Sequence, residues 1–144
     1  MAQFIGKWIG DSSTYRNYDA FAKVSGMTDE LIENLRHAVN EIEYIRDEDT
    51  WKCNMHSTAA PDKGKTYVFK SGVEETTTDP WGGGLKYLKT FESDMKMTEV
   101  EKAEMTGWKP VKITREIIGP NKLRETCSME CGTTMTCEMN RVQL

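Results

Sequence analysis

The sequence predicts an all-β fold, a closed barrel of short strands carrying one small helical lid. Three observations predict it. Phe4-Ile5-Gly6-Lys7-Trp8 reads as an opening strand. A polar break and a stretch of helix-compatible residues come after it. From Val39 onward the apolar period changes to two and stays there to the terminus. No helix of crossover length recurs between the later strands, which argues against a parallel α/β sheet. A barrel of this size holds one small molecule.

Along the chain, Phe4 to Ile9 is the first strand, with Phe4, Gly6 and Trp8 on one face. Asp11-Ser12-Ser13 is expected to stop it and to cap the next segment. Tyr15, Tyr18, Phe21, Ala22 and Val24 have helical spacing, and Ser25-Gly26 ends that segment. Thr28 is the N-cap of a second short helix whose apolar stripe is Leu31, Ile32 and Leu35. Helices this short are marginal alone, so both must rest on the barrel. Ile42, Tyr44 and Ile45 fall in the next strand. Asp47-Glu48-Asp49 is a turn, and Trp51, Cys53 and Met55 alternate after it. Ala60 to Gly64 turns again, Tyr67, Phe69 and Val73 continue the pattern, and Asp79 to Gly84 reads as the most flexible stretch. Leu85–Phe91, Met95–Val100, Val111–Ile118, Leu123–Met129 and Thr133–Val142 complete about ten strands with hairpin-sized connections. The 144 residues fit one domain, spanning 1–144 with a lid at about 14–36.

Composition narrows the function classes. Hydrophobic residues make up 38% and charged residues 29%, which suits a folded soluble chain, and the net charge of -4 with scattered basic residues weighs against nucleic acid. No apolar run is long enough to span a membrane. The N-terminus lacks the basic and apolar regions of a signal peptide, so a cytoplasmic protein is expected. Cys53, Cys127, Cys131 and Cys137 then read as free thiols. They form no Cys-x-x-Cys pair, and His37 and His56 are isolated, so neither metal nor cofactor is expected. No nucleophile, base and orienting group assemble. Adjacent His56 and Ser57 face opposite sides of a strand, and Gly82-Gly83-Gly84 lacks the lysine and helix of a phosphate loop. The expectation is a non-enzyme.

The opening Phe4-x-Gly6-x-Trp8 and the Ser13-to-Phe21 segment ending at Gly26 resemble the intracellular lipid-binding proteins, the fatty-acid-binding and cellular retinoid-binding proteins. So do Lys70-x-Gly72-Val73-Glu74-Glu75, Thr77, Asp79 and Ile113-Thr114-Arg115-Glu116. The resemblance runs over essentially the whole chain. It implies a ten-stranded antiparallel up-and-down β-barrel (a β-clam) capped by a helix-turn-helix, with a fatty acid, retinoid or similar molecule inside. It also implies a portal formed by Leu31, Ile32, Leu35, Ala59 and its neighbour Ala60, and Asp79.

Arg115 is the first candidate anchor. It alternates with Ile113 and Ile117, so if those face inward the guanidinium does too, and it matches a carboxylate as a two-pronged donor. The resemblance implies the same role. The competing reading is a surface arginine paired with an acid. Tyr18 and Phe21 on the first helix are expected at the cavity mouth. Met55, Phe69, Leu88, Met97 and Ile113 are expected along the wall, or as plain core. Trp8 reads as packing at the closed end. The nine methionines suit either a deformable wall or ordinary core filling.

The last strand departs from the family, many of whose members place an inward Arg-x-Tyr pair there. Matching forward from Cys131-Gly132-Thr133 puts Glu138 and Asn140 at that pair. Matching backward from Arg141-Val142 puts Cys137 and Met139 there. The two differ by one residue and send opposite faces inward. Patterning favours the second, through the stripe Met135, Cys137 and Met139. Both remove the usual anchor, so a neutral or bulkier apolar ligand stands beside a fatty acid. The expected function is non-catalytic binding and transport of that ligand by a monomer, with transient membrane contact through the lid. The alternative is a structural or protein-interaction role on the same barrel.

Overall fold

The computed structural model describes residues 1–143. Ten strands form one antiparallel sheet in the order β4-β3-β2-β1-β10-β9-β8-β7-β6-β5, so every neighbour is a sequence neighbour except β1 and β10, which join the two ends of the chain. The strands are β1 Gly6–Arg16, β2 Asn40–Asp47, β3 Thr50–Ser57, β4 Lys65–Phe69, β5 Val73–Thr78, β6 Gly84–Ser93, β7 Lys96–Ala103, β8 Val111–Gly119, β9 Lys122–Met129 and β10 Thr134–Arg141. The sheet curls until β4 and β5 face each other without forming a ladder. Side chains bridge that gap. Tyr87 Oη donates to the Val68 carbonyl at 2.8 Å, Lys65 Nζ donates to Thr78 Oγ1, and the Tyr67 and Tyr87 rings meet edge to face at 5.7 Å. The architecture is the expected ten-stranded barrel capped by a helix pair.

β1 corrects one expectation. Asp11-Ser12-Ser13 bends the strand and does not end it. Asp11 Oδ1 accepts from the Ser13 amide and hydroxyl, the register to β10 shifts between Asp11 and Arg16, and the Glu138 amide donates to Thr14 Oγ1. The Asx turn acts as a bulge that lets one long strand bend within a closed sheet. Tyr15 therefore lies in β1 and not in a helix.

The helices are α1 Tyr18–Ser25 and α2 Asp29–Leu35. Thr28 caps α2, its Oγ1 accepting from the Leu31 amide at 3.2 Å. Gly26 joins the helices at φ 91°, and a Cβ there would lie 3.2 Å from the Thr106 carbonyl oxygen, so both conformation and space favour glycine. Phe21 and Ala22 bury the inner face of α1, and Ile32 buries that of α2.

The dense core lies at one end of the barrel. Phe4, Trp8, Ile42, Tyr44, Phe69, Met97 and Leu123 are fully buried there, and Trp51 and Phe91 pack with ring centroids 4.7 Å apart. Trp8 Nε1 donates to the Phe4 carbonyl at 3.0 Å, and the Arg141 guanidinium lies over its ring at 4.2 Å. Arg141 also donates to the Gln3 and Ile5 carbonyls, at 2.6 and 2.7 Å. It thus staples the closed end.

Candidate ligand-binding site

Between this core and the helix pair lies a cavity of about 360 Å³. That lies within the ~300–1,000 Å³ usual for small-molecule pockets. Tyr15, Tyr18, Phe21 and Met27 line it from the lid side, with Leu35 from α2. Met55, Tyr67, Leu85, Tyr87, Val111, Ile113, Met135 and Cys137 line it from the strands. Ala60, Asp79, Trp81 and Met105 line it near the mouth. The Tyr18 hydroxyl donates to the Ile32 carbonyl at 2.7 Å, tying the two helices together, and Tyr15 Oη donates to the Ala38 carbonyl.

The expected residues divide by position. Arg115, Tyr18, Phe21, Met55, Ile113 and Cys137 line the cavity, as do Leu35 and Asp79 of the expected portal. Phe69, Met97 and Met139 face inward but belong to the packed core below it. Leu88 points away: on β6 the inward positions are Leu85, Tyr87 and Lys89, so strand alternation turns Leu88 outward. In the portal, Ile32 is buried under α2, Leu31 is half-buried and Ala59 is exposed beside Ala60.

Asp79 organises its loop. Its Oδ1 accepts from the Trp81 and Gly83 amides, each at 2.9 Å, and its backbone amide donates to the Gly83 carbonyl at 2.8 Å. The glycine run expected to be the loosest part of the chain is therefore closed around one buried carboxylate.

The last strand adopts the register matched backward from Arg141. Cys137 and Met139 are buried and Met135 lines the cavity, while Asn140 is on the other face with Glu138, which pairs with Lys122 at 3.3 Å. The alternative inward placement of Glu138 and Asn140 is thus corrected. It would have buried a carboxylate and exposed an apolar stripe.

The polar part of the wall is a charge network. Arg115 is only 4% exposed. Its Nη1 donates to Glu99 Oε1 at 2.7 Å and its Nε to Glu125 Oε2 at 2.9 Å. Lys89 Nζ lies 3.3 Å from Glu99 Oε1. Glu101 is the next inward residue on β7. All five side chains line the cavity. Burial works against the Glu99 charge, yet Lys89 and Arg115 outweigh it and hold that carboxyl down at about 2. Burial and the Glu99 charge act together on Glu101 and push it up to about 8. Burial and Glu125 push the Cys137 thiol up to about 12, and the Cys127 thiol is also raised well above its ordinary value.

Of these groups, sequence periodicity and resemblance singled out Arg115 and Cys137 alone. Lys89, Glu99 and Glu125 each stand two positions from an inward apolar residue, the same signal that marks Arg115. Among the described residues no group of three or more His, Cys, Asp and Glu side chains is placed to hold a metal. All four cysteines are free. No helix among the described residues is long and apolar enough to cross a membrane.

No family model matches the chain, and no curated protein does. Solved structures do match. The Schistosoma mansoni fatty acid binding protein, solved with arachidonic acid, is 21% identical with a TM-score of 0.83, covering 99% of this chain and 98% of that one. Secretory abundant heat soluble protein 4 from Ramazzottius varieornatus is 19% identical, TM-score 0.82, covering 98% and 96%. The fatty-acid-binding protein from brain tissue of Drosophila melanogaster is 25% identical, TM-score 0.74, covering 95% and 98%. The strand order, the helix pair and these matches along nearly the whole chain lead to one conclusion: the chain has the β-clam fold of the intracellular lipid-binding proteins.

Proposed function

We propose that this chain is a divergent lipid-binding protein that binds and carries a hydrophobic small molecule without altering it. A single-chain lipid, the class to which fatty acids belong, is the favoured ligand. The cavity carries the reading: about 360 Å³ beneath the helix pair, walled mainly by apolar and aromatic side chains. Burying an alkyl chain there contributes ~0.8 kcal/mol per methylene before ordering costs. Tyr18, Phe21, Met55, Ile113 and Cys137 are the proposed contacts. Entry and exit run between α2 and the turns at Ala59-Ala60 and Asp79, so exchange requires those segments to separate. Brief contact of the lid with a membrane would assist exchange. The free thiols fit a reducing, cytoplasmic setting.

A structural or protein-interaction role is the second reading. It is favoured by the Ramazzottius varieornatus match, since a protein described by its abundance and heat solubility shares this barrel. The separating experiment is titration with an environment-sensitive apolar dye. Saturable uptake of one dye per chain is expected, abolished when Ile113→Trp fills the cavity of a chain whose circular dichroism is unchanged. Dye uptake that survives a filled cavity places the dye on the outer surface and removes the carrier reading.

A further inference from the structure

We propose, on the carrier reading above, that the cavity selects a long-chain amphiphile with a cationic amine head and disfavours one with a carboxylate head. The carboxyls on the wall outnumber its cations. Three carboxyls, Glu99, Glu101 and Glu125, face two cations, Lys89 and Arg115. Both cations are already engaged. Arg115 donates its Nη1 hydrogen to Glu99 and its Nε hydrogen to Glu125, at 2.7 and 2.9 Å, and Lys89 lies 3.3 Å from Glu99. No cation among the described residues forms an ion pair with Glu101, whose inward neighbour on β7 is a second acid, Glu99.

An incoming carboxylate would be a fourth acid against two occupied cations. It would add a further negative charge to a buried wall whose two cations already serve Glu99 and Glu125. An ammonium head supplies the partner that Glu101 lacks and lets it ionise with the wall still neutral. A hydroxyl head changes no charge and falls between.

Burial beside the Glu99 carboxylate gives the pH response its sign. Both raise the Glu101 carboxyl well above its ordinary value, to about 8. An amine therefore binds with release of the Glu101 proton, and its affinity rises with pH by up to about tenfold per unit below that value. The other titratable and charged groups facing this wall are Lys89 and Tyr87 from β6, Glu99 from β7, Arg115 from β8, and Glu125 and Cys127 from β9. Cys137 from β10, Tyr67 from β4, Tyr15 from β1 and Tyr18 from α1 complete the wall, while His56, Lys63 and Asp79 lie at the mouth. The cysteine thiols and the tyrosines are raised away from neutrality. Glu101→Gln separates any contribution of His56 from that of Glu101.

The experiment displaces the bound dye from the whole chain with oleylamine, oleyl alcohol and oleic acid at matched pH. The expected order is oleylamine, then oleyl alcohol, then oleic acid, with the amine at least about tenfold tighter than the acid at pH 8. Its advantage should grow from pH 6 to pH 8. Glu101→Gln should remove that growth and most of the amine preference. Oleic acid binding as tightly as the amine, or an amine affinity that Glu101→Gln leaves unchanged, overturns the proposal while the carrier reading stands. If none of the three displaces a dye, and the dye itself does not bind, the carrier reading fails and this selectivity fails with it.

Discussion

Glu101→Gln also has a stability consequence that can be measured without any ligand. Burial and the Glu99 charge both oppose ionisation of Glu101 in the native chain and push its carboxyl up to about 8, whereas an unfolded glutamate loses its proton near 4.5. Between those values the native state binds one proton more than the unfolded state, so this residue lowers stability as pH rises across the window. From pH 5.5 to pH 8 the full effect is about 3 kcal/mol, at ~1.4 kcal/mol per pH unit. Glu101 is half-buried, and solvent reaching its carboxyl through the cavity reduces the effect, so a loss of roughly 1–3 kcal/mol is expected. Glutamine keeps the shape and a hydrogen-bonding head but cannot ionise. Urea unfolding at a series of pH values, monitored by tryptophan fluorescence, reads the difference directly. With a slope of ~2 kcal/mol per molar urea, the unfolding midpoint of the unsubstituted chain should fall relative to the variant by about 0.5–1.5 M between those pH values. At pH 8 the variant should be the more stable of the two. Other titrating groups are common to both chains and cancel in the comparison. Parallel profiles, or a variant less stable at pH 8, would show that residue 101 ionises without penalty and that the wall is not short of a cation.

Two further substitutions probe the same architecture. Arg115→Met leaves Glu99 with Lys89 alone and removes the ion-pair partner of Glu125, and should cost ~3–5 kcal/mol, a fall in Tm on the order of 10 °C by calorimetry. Adding Glu99→Gln should return part of it, and a single-variant loss below about 1 kcal/mol would contradict the network. Thr28→Ala removes the α2 cap and should cost about 1 kcal/mol, read as faster amide exchange in residues 29–35 with the strands unaffected; uniform acceleration across the barrel would contradict a locally tied lid.

The barrel was legible because alternation repeats. Trp51-Cys53-Met55 and Ile113-Arg115-Ile117 each signal a strand with one buried face, and many such runs joined by short turns leave few architectures open. Strand order came from connection length, and the backward register of β10 came from the methionines that it buries. The bend at Asp11 was not legible: the Asx turn that ends many strands is here absorbed as a bulge, because β10 supplies the Glu138 amide to Thr14 on its far side. The loop at Asp79 misled in the opposite sense. Its glycines suggest freedom, and only the fold shows that one carboxylate accepts two of its amides.

The charge network stands between these cases. Lys89 lies between Tyr87 and Phe91, Glu99 comes two residues after Met97, and Glu125 lies between Leu123 and Cys127. Each is as clearly inward by period two as Arg115. Alternation assigns the face, but it says nothing of which strands adjoin. Which acid meets which cation depends on the β7-β8-β9 register, where Met97 opposes Arg115 and Arg115 opposes Glu125. That register turns a lone inward arginine, readable as an anchor awaiting a carboxylate, into one already held by two. The headgroup preference of the cavity is thus set by cross-strand partners, and the residue that decides it is Glu101, the acid that the register leaves without a cation.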